Sequence, residues 1–190
     1  MNTEQKTYWS NFYKNFNNTQ QSNFATFVKQ YFDNDKYKCA NLLDCGCGNG
    51  RDSYYFSKYF NVTGIDTSFI PNDISNCNFS NENFCNYNKS GYDVIYSRFT
   101  FHSITDEQHE DFLCTIKSGQ FLCIETRSTK SESIDKVYGD NHFRNYTDKE
   151  YIINLMNKYN FDILYICETN DIAVYKDENP YCIRLIAKKI

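Results

Sequence analysis

The sequence is poor in the residues that interrupt or loosen a chain. Its 190 residues include 2 prolines and 7 glycines, which excludes collagen-like and Gly/Pro-rich low-complexity proteins. No apolar run approaches the roughly 18 residues of a membrane span. Met1 to Ser10 carries Glu4, Lys6 and Trp9 and has no apolar centre of the kind a signal peptide needs. An excess of basic charge is also missing. Lys and Arg total 20 against 24 Asp and Glu, a net charge of −4, and the absence of a basic stripe argues against a protein that coats nucleic acid. The 9 cysteines are an odd number without a secretion signal. A chain of this length buries its core without disulfide staples, so reduced thiols in a cytoplasmic setting are expected. Cys45 and Cys47 lie closer than the usual zinc spacing and no second paired cluster follows, so no metal is expected.

What is abundant is aromatic: 17 Tyr and 16 Phe. With the lean to Asn, Lys and Ile this matches an A/T-rich coding bias. Thr7 to Phe32 reads as helical, with a break at Asn17 to Ser22. Short apolar runs at Cys39–Asp44, Val62–Asp66, Tyr92–Ser97 and Phe121–Glu125 have the length of strands buried on both faces. Phe161–Cys167 and Tyr181–Lys188 are two more. Helical stripes lie between them, at Asp106–Lys117 and at Thr147–Tyr159, where Thr147 and Glu150 suggest a capping box. Ile172–Tyr175 suggests a short hairpin arm before the last strand. His109, among Glu107, Glu110 and Asp111, reads as part of a solvated face. The alternation predicts an α/β domain with a mostly parallel sheet and helices on both faces. Residues 1–32 are expected to form a helical cap on a single domain of residues 33–190.

One segment carries chemistry. Asp44-Cys45-Gly46-Cys47-Gly48-Asn49-Gly50 follows an apolar strand and precedes a helix. Glycines there allow a tight turn and close ligand approach, and the helix N-terminus offers unpaired N–H groups. A dinucleotide fingerprint needs a third glycine where Arg51 stands, and Asp44 beneath the loop suits a cationic ligand better than a pyrophosphate.

This pattern resembles motif I of the class I S-adenosylmethionine-dependent methyltransferases. Val62-Thr63-Gly64-Ile65-Asp66 is similar to the second strand of that family, Tyr92 to Ser97 to its fourth and Ser118 to Glu125 to its fifth. Small stand-alone enzymes of the tellurite-resistance and sugar- or small-molecule-methylating kind are the nearest in character. The resemblance implies a Rossmann-like, doubly wound seven-stranded sheet with one antiparallel strand. It implies S-adenosyl-L-methionine as cofactor, held by Asp44, Gly46, Cys47, Gly48, Gly50, Arg51, Asp66, Asn83, Phe84 and Ser97. Trp9 and Tyr13 are expected to close over it, or else to be ordinary packing. Arg51 reaches the methionyl carboxylate or points to solvent.

For the acceptor, position selects His102 after the fourth strand, Arg127 at the end of the fifth, and His142 and Arg144 in the stretch that follows. His102 is a candidate general base, because imidazole titrates near neutral pH, or a structural histidine. Arg127 and Arg144 are a clamp for a carboxylate or phosphate, or surface residues paired with Glu125, Asp140 or Asp148. The expected acceptor is a small molecule or sugar, methylated on a hydroxyl. A catalytically silent binding subunit and a nicotinamide-dependent oxidoreductase are the alternatives.

Overall fold

The computed structural model describes residues 3–15, 18–33, 40–131, 143–174 and 177–190. Seven strands form one sheet: β1 (Asn41–Cys45), β2 (Asn61–Asp66), β3 (Cys77–Asn81), β4 (Val94–Arg98), β5 (Phe121–Arg127), β6 (Phe161–Thr169) and β7 (Cys182–Lys189). Their order is β3-β2-β1-β4-β5-β7-β6. β1 to β5 pair in parallel, and β7 runs antiparallel to both β5 and β6. The expected sheet with one antiparallel member is therefore the one observed.

The apolar runs alternate between two cores. Leu43, Ile95, Leu122 and Ile124 face one cluster; Leu42, Val94, Phe121 and Cys123 face the other. Period-two side-chain direction in strands makes this division. The first cluster is closed by α4 (Asp106–Cys114) and α5 (Lys149–Lys158), through Phe112, Leu113, Ile152, Leu155 and Met156. The second is closed by α2 (Asn23–Tyr31) and α3 (Arg51–Phe56), through Phe24, Ala25, Val28 and Phe56. α1 (Thr3–Asn15) precedes them and lies over the carboxyl ends of the strands. A division after residue 32 thus separates α2 from the layer into which it packs.

Several local expectations change. α5 is capped by Asp148, whose carboxylate accepts from the Glu150 and Tyr151 amides. Thr147 is instead buried and bonded to Thr126 Oγ1 at 3.0 Å. α4 carries the capping box, between Thr105 and Gln108. Residues 172–174 form no strand. His109 is fully buried, stacked on Phe101 with 4.5 Å between ring centroids. It is bonded to the Phe101 carbonyl at 2.8 Å and to Tyr151 Oη at 3.0 Å. Its acidic neighbours in sequence misstate its face, because the helix turns it inward onto the one side where an aromatic partner waits.

α2 and α3 are joined to the sheet by a buried carboxylate. Asp52 accepts from the Ser22 amide and Ser22 Oγ, both at 2.7 Å, and from Tyr96 Oη at 2.8 Å. Ser22 Oγ in turn caps α2 by accepting from the Ala25 amide. Buried hydrogen bonds to a charged group are each worth about 1.5–3 kcal/mol. Asp52→Ala is expected to lower stability by on the order of 3 kcal/mol, measurable by urea titration. A loss within the half kcal/mol typical of surface substitutions would show that the triad bears no load.

Candidate active site

Strand order reverses between β1 and β4, and in open α/β sheets ligands gather in the crevice at such a switch point. A cavity of about 370 Å³ opens there. β1 delivers Asp44 to its floor, 3% exposed. After β1 the chain turns through Gly46 and Gly48, at φ +74° and +55°, values that L side chains rarely adopt. The Gly46 and Cys47 amides donate to the Ile65 carbonyl at 2.8 and 3.1 Å, which binds the loop to β2. A Cβ at Gly46 would collide with Thr100 Cγ2 and one at Gly48 with the Tyr13 ring. The Gly48 amide donates to Asp66 Oδ2 at 3.0 Å, while the Ser68 amide and hydroxyl donate to Oδ1 at 2.8 and 2.6 Å. Asp66 therefore ties both loops of the crevice together.

Carboxylates crowd this end. Burial pushes the Asp44 carboxyl up to about 7, and the charges of Asp52 and Asp66 act in the same direction. The Ser53 hydroxyl, donating at 2.5 Å, opposes them. Burial likewise raises the Tyr13 phenol and the Cys47 thiol well above their ordinary ranges. A floor of this kind favours a cationic ligand group, which would draw the proton off Asp44.

Arg98, Arg127 and Arg144 also line the cavity. Arg98 stacks its guanidinium 4.1 Å from the Phe99 ring centroid, with Arg127 5.7 Å from the same ring. Phe99 sits at φ +58°, unusual for a bulky residue, and such strain gathers at functional sites. Glu125, 1% exposed, accepts from Arg98 Nε at 2.9 Å and from Arg184 Nε at 2.6 Å. Burial opposes the charge on Arg98, but Glu125 and Asp52 outweigh it and hold the guanidinium above its ordinary value. Arg127 pairs with Glu178 at 2.5 Å. Arg144 Nη1 lies 2.8 Å from His102 Nε2. Burial and the neighbouring Arg127 charge lower the Arg144 guanidinium from its ordinary value.

Residues 16–166 match the methyltransferase domain model. The chain belongs to the methyltransferase domain family. It is accordingly a methyl-transferring enzyme, and S-adenosyl-L-methionine is its methyl donor. A SAM-dependent methyltransferase from Anabaena variabilis superposes with a TM-score of 0.71 at 18% identity, over 100% of this chain and 96% of that one. One from Methanosarcina mazei gives 0.67 at 16% identity, over 86% and 97%. The 1,6-didemethyltoxoflavin N1-methyltransferase of Burkholderia thailandensis, solved with its acceptor and S-adenosylhomocysteine, gives 0.67 at 13% identity, over 87% and 76%. No curated protein matches the sequence.

Of the residues selected from sequence, the methyltransferase cavity is lined by Trp9, Tyr13, Asp44, Gly46, Cys47, Arg51, His102, Arg127 and Arg144. Gly48 lies beneath Tyr13, and Gly50 caps α3 against Phe79. Ser97 is buried and bonded to Thr100, and Phe84 packs on Phe112 in the core. Asn83 is exposed, and its side-chain oxygen accepts from the Cys85 amide, so it makes a turn rather than a wall of this cavity. His142 lies outside the described residues. Arg127 is buried and pairs with Glu178, and Arg144 is half-buried against His102; Asp140 lies outside the described residues. Sequence reasoning missed Arg98, Phe99 and Glu178. The first two stand between Ser97 and His102, both selected from sequence, whereas nothing local marks Glu178.

The residues present fit the methyl donor. Asp44 on the cavity floor offers an acceptor for an ammonium group and Arg51 in the lining a partner for a carboxylate, while Asp66 stands beside the loop with its oxygens accepting from Gly48 and Ser68. When bound, S-adenosyl-L-methionine supplies a methyl group on an electrophilic sulfonium.

Proposed function

We propose that this enzyme methylates a small-molecule or sugar-like acceptor on a hydroxyl group. The observation that carries the reading is the charge lining the cavity at the strand ends, with Asp44, Asp52 and Arg51 by the glycine loop and Arg98, Arg127 and Arg144 joined by Glu178 at the acceptor side. Asp44, Gly46, Cys47, Gly48, Gly50, Arg51 and Asp66 hold the donor, with Trp9 and Tyr13 over it. Arg98, Arg127 and Arg144 face the acceptor, and their positive charge favours the deprotonated, nucleophilic form of a hydroxyl. Holding that oxygen in line with the methyl group supplies much of the rate. The Burkholderia neighbour, bound to 1,6-didemethyltoxoflavin, supports a small-molecule acceptor on this fold. Among the described residues no helix is long and apolar enough to cross a membrane, and cysteines that form no disulfide there support a reducing, cytoplasmic setting.

The test has two parts. Asp66→Ala is expected to weaken S-adenosylhomocysteine by about ten- to a hundredfold, the equivalent of about 1.5–3 kcal/mol for hydrogen bonds to a charged group. Unchanged affinity by calorimetry removes Asp66 from the site. Separately, labelled S-adenosylmethionine incubated with a panel of hydroxylated acids and sugars is expected to leave its label on oxygen. Label confined to nitrogen or sulfur acceptors contradicts the hydroxyl assignment.

A further inference from the structure

His102 is 1% exposed and reaches the cavity beside Arg144. Its partners determine its protonation. A guanidinium can only donate, so Nε2, 2.8 Å from Arg144 Nη1, accepts and carries no proton. Nδ1 must then hold the proton of the neutral ring. It faces Thr126 Oγ1 at 3.4 Å, and that hydroxyl can pass its own proton to Thr147 Oγ1 at 3.0 Å. The Arg127 amide is a competing donor 3.4 Å from Nδ1, and the shorter, charge-assisted contact from Arg144 at 2.8 Å outweighs it. The one lone pair a general base would use is already taken by Arg144.

The guanidiniums themselves sit in an apolar frame. Arg98 and Arg127 both lie against the Phe99 ring, and Tyr8, Trp9 and Phe12 of α1 line the same cavity together with Ile172 and Val174. Arg127 pairs with Glu178, a carboxylate that lines the same cavity, and Arg144 is held by His102. Fixed guanidiniums receive a planar carboxylate by paired hydrogen bonds, and the aromatic and aliphatic walls receive the body that carries it.

We propose that the acceptor bears a carboxylate on an apolar, ring-sized body, seated by Arg127 and Arg144, and that His102 is a positioning residue that holds Arg144 through its unprotonated Nε2. This rests on the methyl-transfer reading of the site and names its substrate class. It also replaces a general-base role for His102.

Benzoate and its neutral counterpart benzamide are suitable probes, since neither has a hydroxyl to methylate. Each is titrated calorimetrically into the full chain, with and without saturating S-adenosylhomocysteine. Benzoate is expected to bind at least tenfold more tightly than benzamide. Arg127→Gln and Arg144→Gln should each remove most of that preference while S-adenosylhomocysteine still binds. Glu178→Gln should strengthen benzoate by freeing Arg127. At His102, Gln supplies an acceptor oxygen and should rescue benzoate binding to within about threefold, in the range of a single weak contact, whereas Leu should resemble Arg144→Gln.

Equal affinities for the two probes, or no benzoate binding, overturn the carboxylate assignment and leave the donor site untouched. A Gln variant as impaired as Leu overturns the positioning role. Failure of the wild-type chain to bind S-adenosylhomocysteine is a different result, against methyl transfer itself, and benzoate titrated alone still reads the anion site.

Discussion

Asp44→Asn is expected to make the protein more stable without cofactor and worse at binding it. In the folded chain burial lifts the Asp44 carboxyl from 3.8 to about 7. Between these values the folded state holds a proton that the unfolded state has released, so stability falls as pH rises through this window and levels off above it. Removing the carboxylate abolishes that slope. At pH near 8 the Asn variant should be the more stable by on the order of 3 kcal/mol, because Asn keeps an acceptor for the Ser53 hydroxyl. Donor binding should move the opposite way. A cation on the ligand favours ionised Asp44, so affinity for S-adenosylmethionine in the wild type should rise with pH and flatten above about 7. In the variant it should be flat throughout and weaker by about ten- to a hundredfold at pH near 8, the usual value of a hydrogen bond to a charged group. Thermal melts and calorimetry from pH 5 to about 8.5, spanning the raised carboxyl range, read both effects. A variant with the wild-type pH slope would place the titrating group elsewhere.

Gly48→Val is the second large effect. Its Cβ would fall on the Tyr13 ring, and the residue stands at φ +55°. The obstacle is a side chain of α1, which can move, so the fold should survive with a loss of about 1–2 kcal/mol from the left-handed backbone. S-adenosylhomocysteine binding should fall at least a hundredfold, since the branched side chain drives the Tyr13 ring, which lines the cavity, out of its place. α1 should also detach from the loop, which limited proteolysis near Trp9 and Phe12 reads directly. Retained binding would mean that the donor does not pass over Gly48.

The parts legible in sequence are those where backbone chemistry leaves little choice. Three glycines between a buried strand and a helix require a tight turn, and Asp66 stands where one helix and one strand return the chain to the same edge. The observed register, with Cys45 opposite Ile65 on β2, places Asp66 beside that loop. Strand runs were visible because both faces are covered and the residues are almost continuously apolar. What stayed hidden depends on long-range pairing. Glu178 reaches Arg127 across fifty-one positions, and no local pattern announces that. The left-handed Phe99 is invisible because its strain is imposed by neighbours, its amide held by the Glu125 carbonyl at 2.8 Å. His109 misled because charge in sequence says little about which side of a short helix is buried. The capping threonine misled because Thr147 has a better partner in Thr126, which leaves Asp148 to cap α5.

His102 illustrates the limit most clearly. Sequence position alone marks it as near the acceptor, and imidazole chemistry suggests a base. Only the partners of its two nitrogens reveal that Arg144 takes the lone pair.

The most direct measurement is calorimetric titration of S-adenosylhomocysteine, and separately of NAD, into the full chain. The expected result is saturable binding of one S-adenosylhomocysteine per chain, lost in Gly48→Val, with no heat from NAD. Binding of NAD, or no binding of S-adenosylhomocysteine to folded protein, would contradict the account.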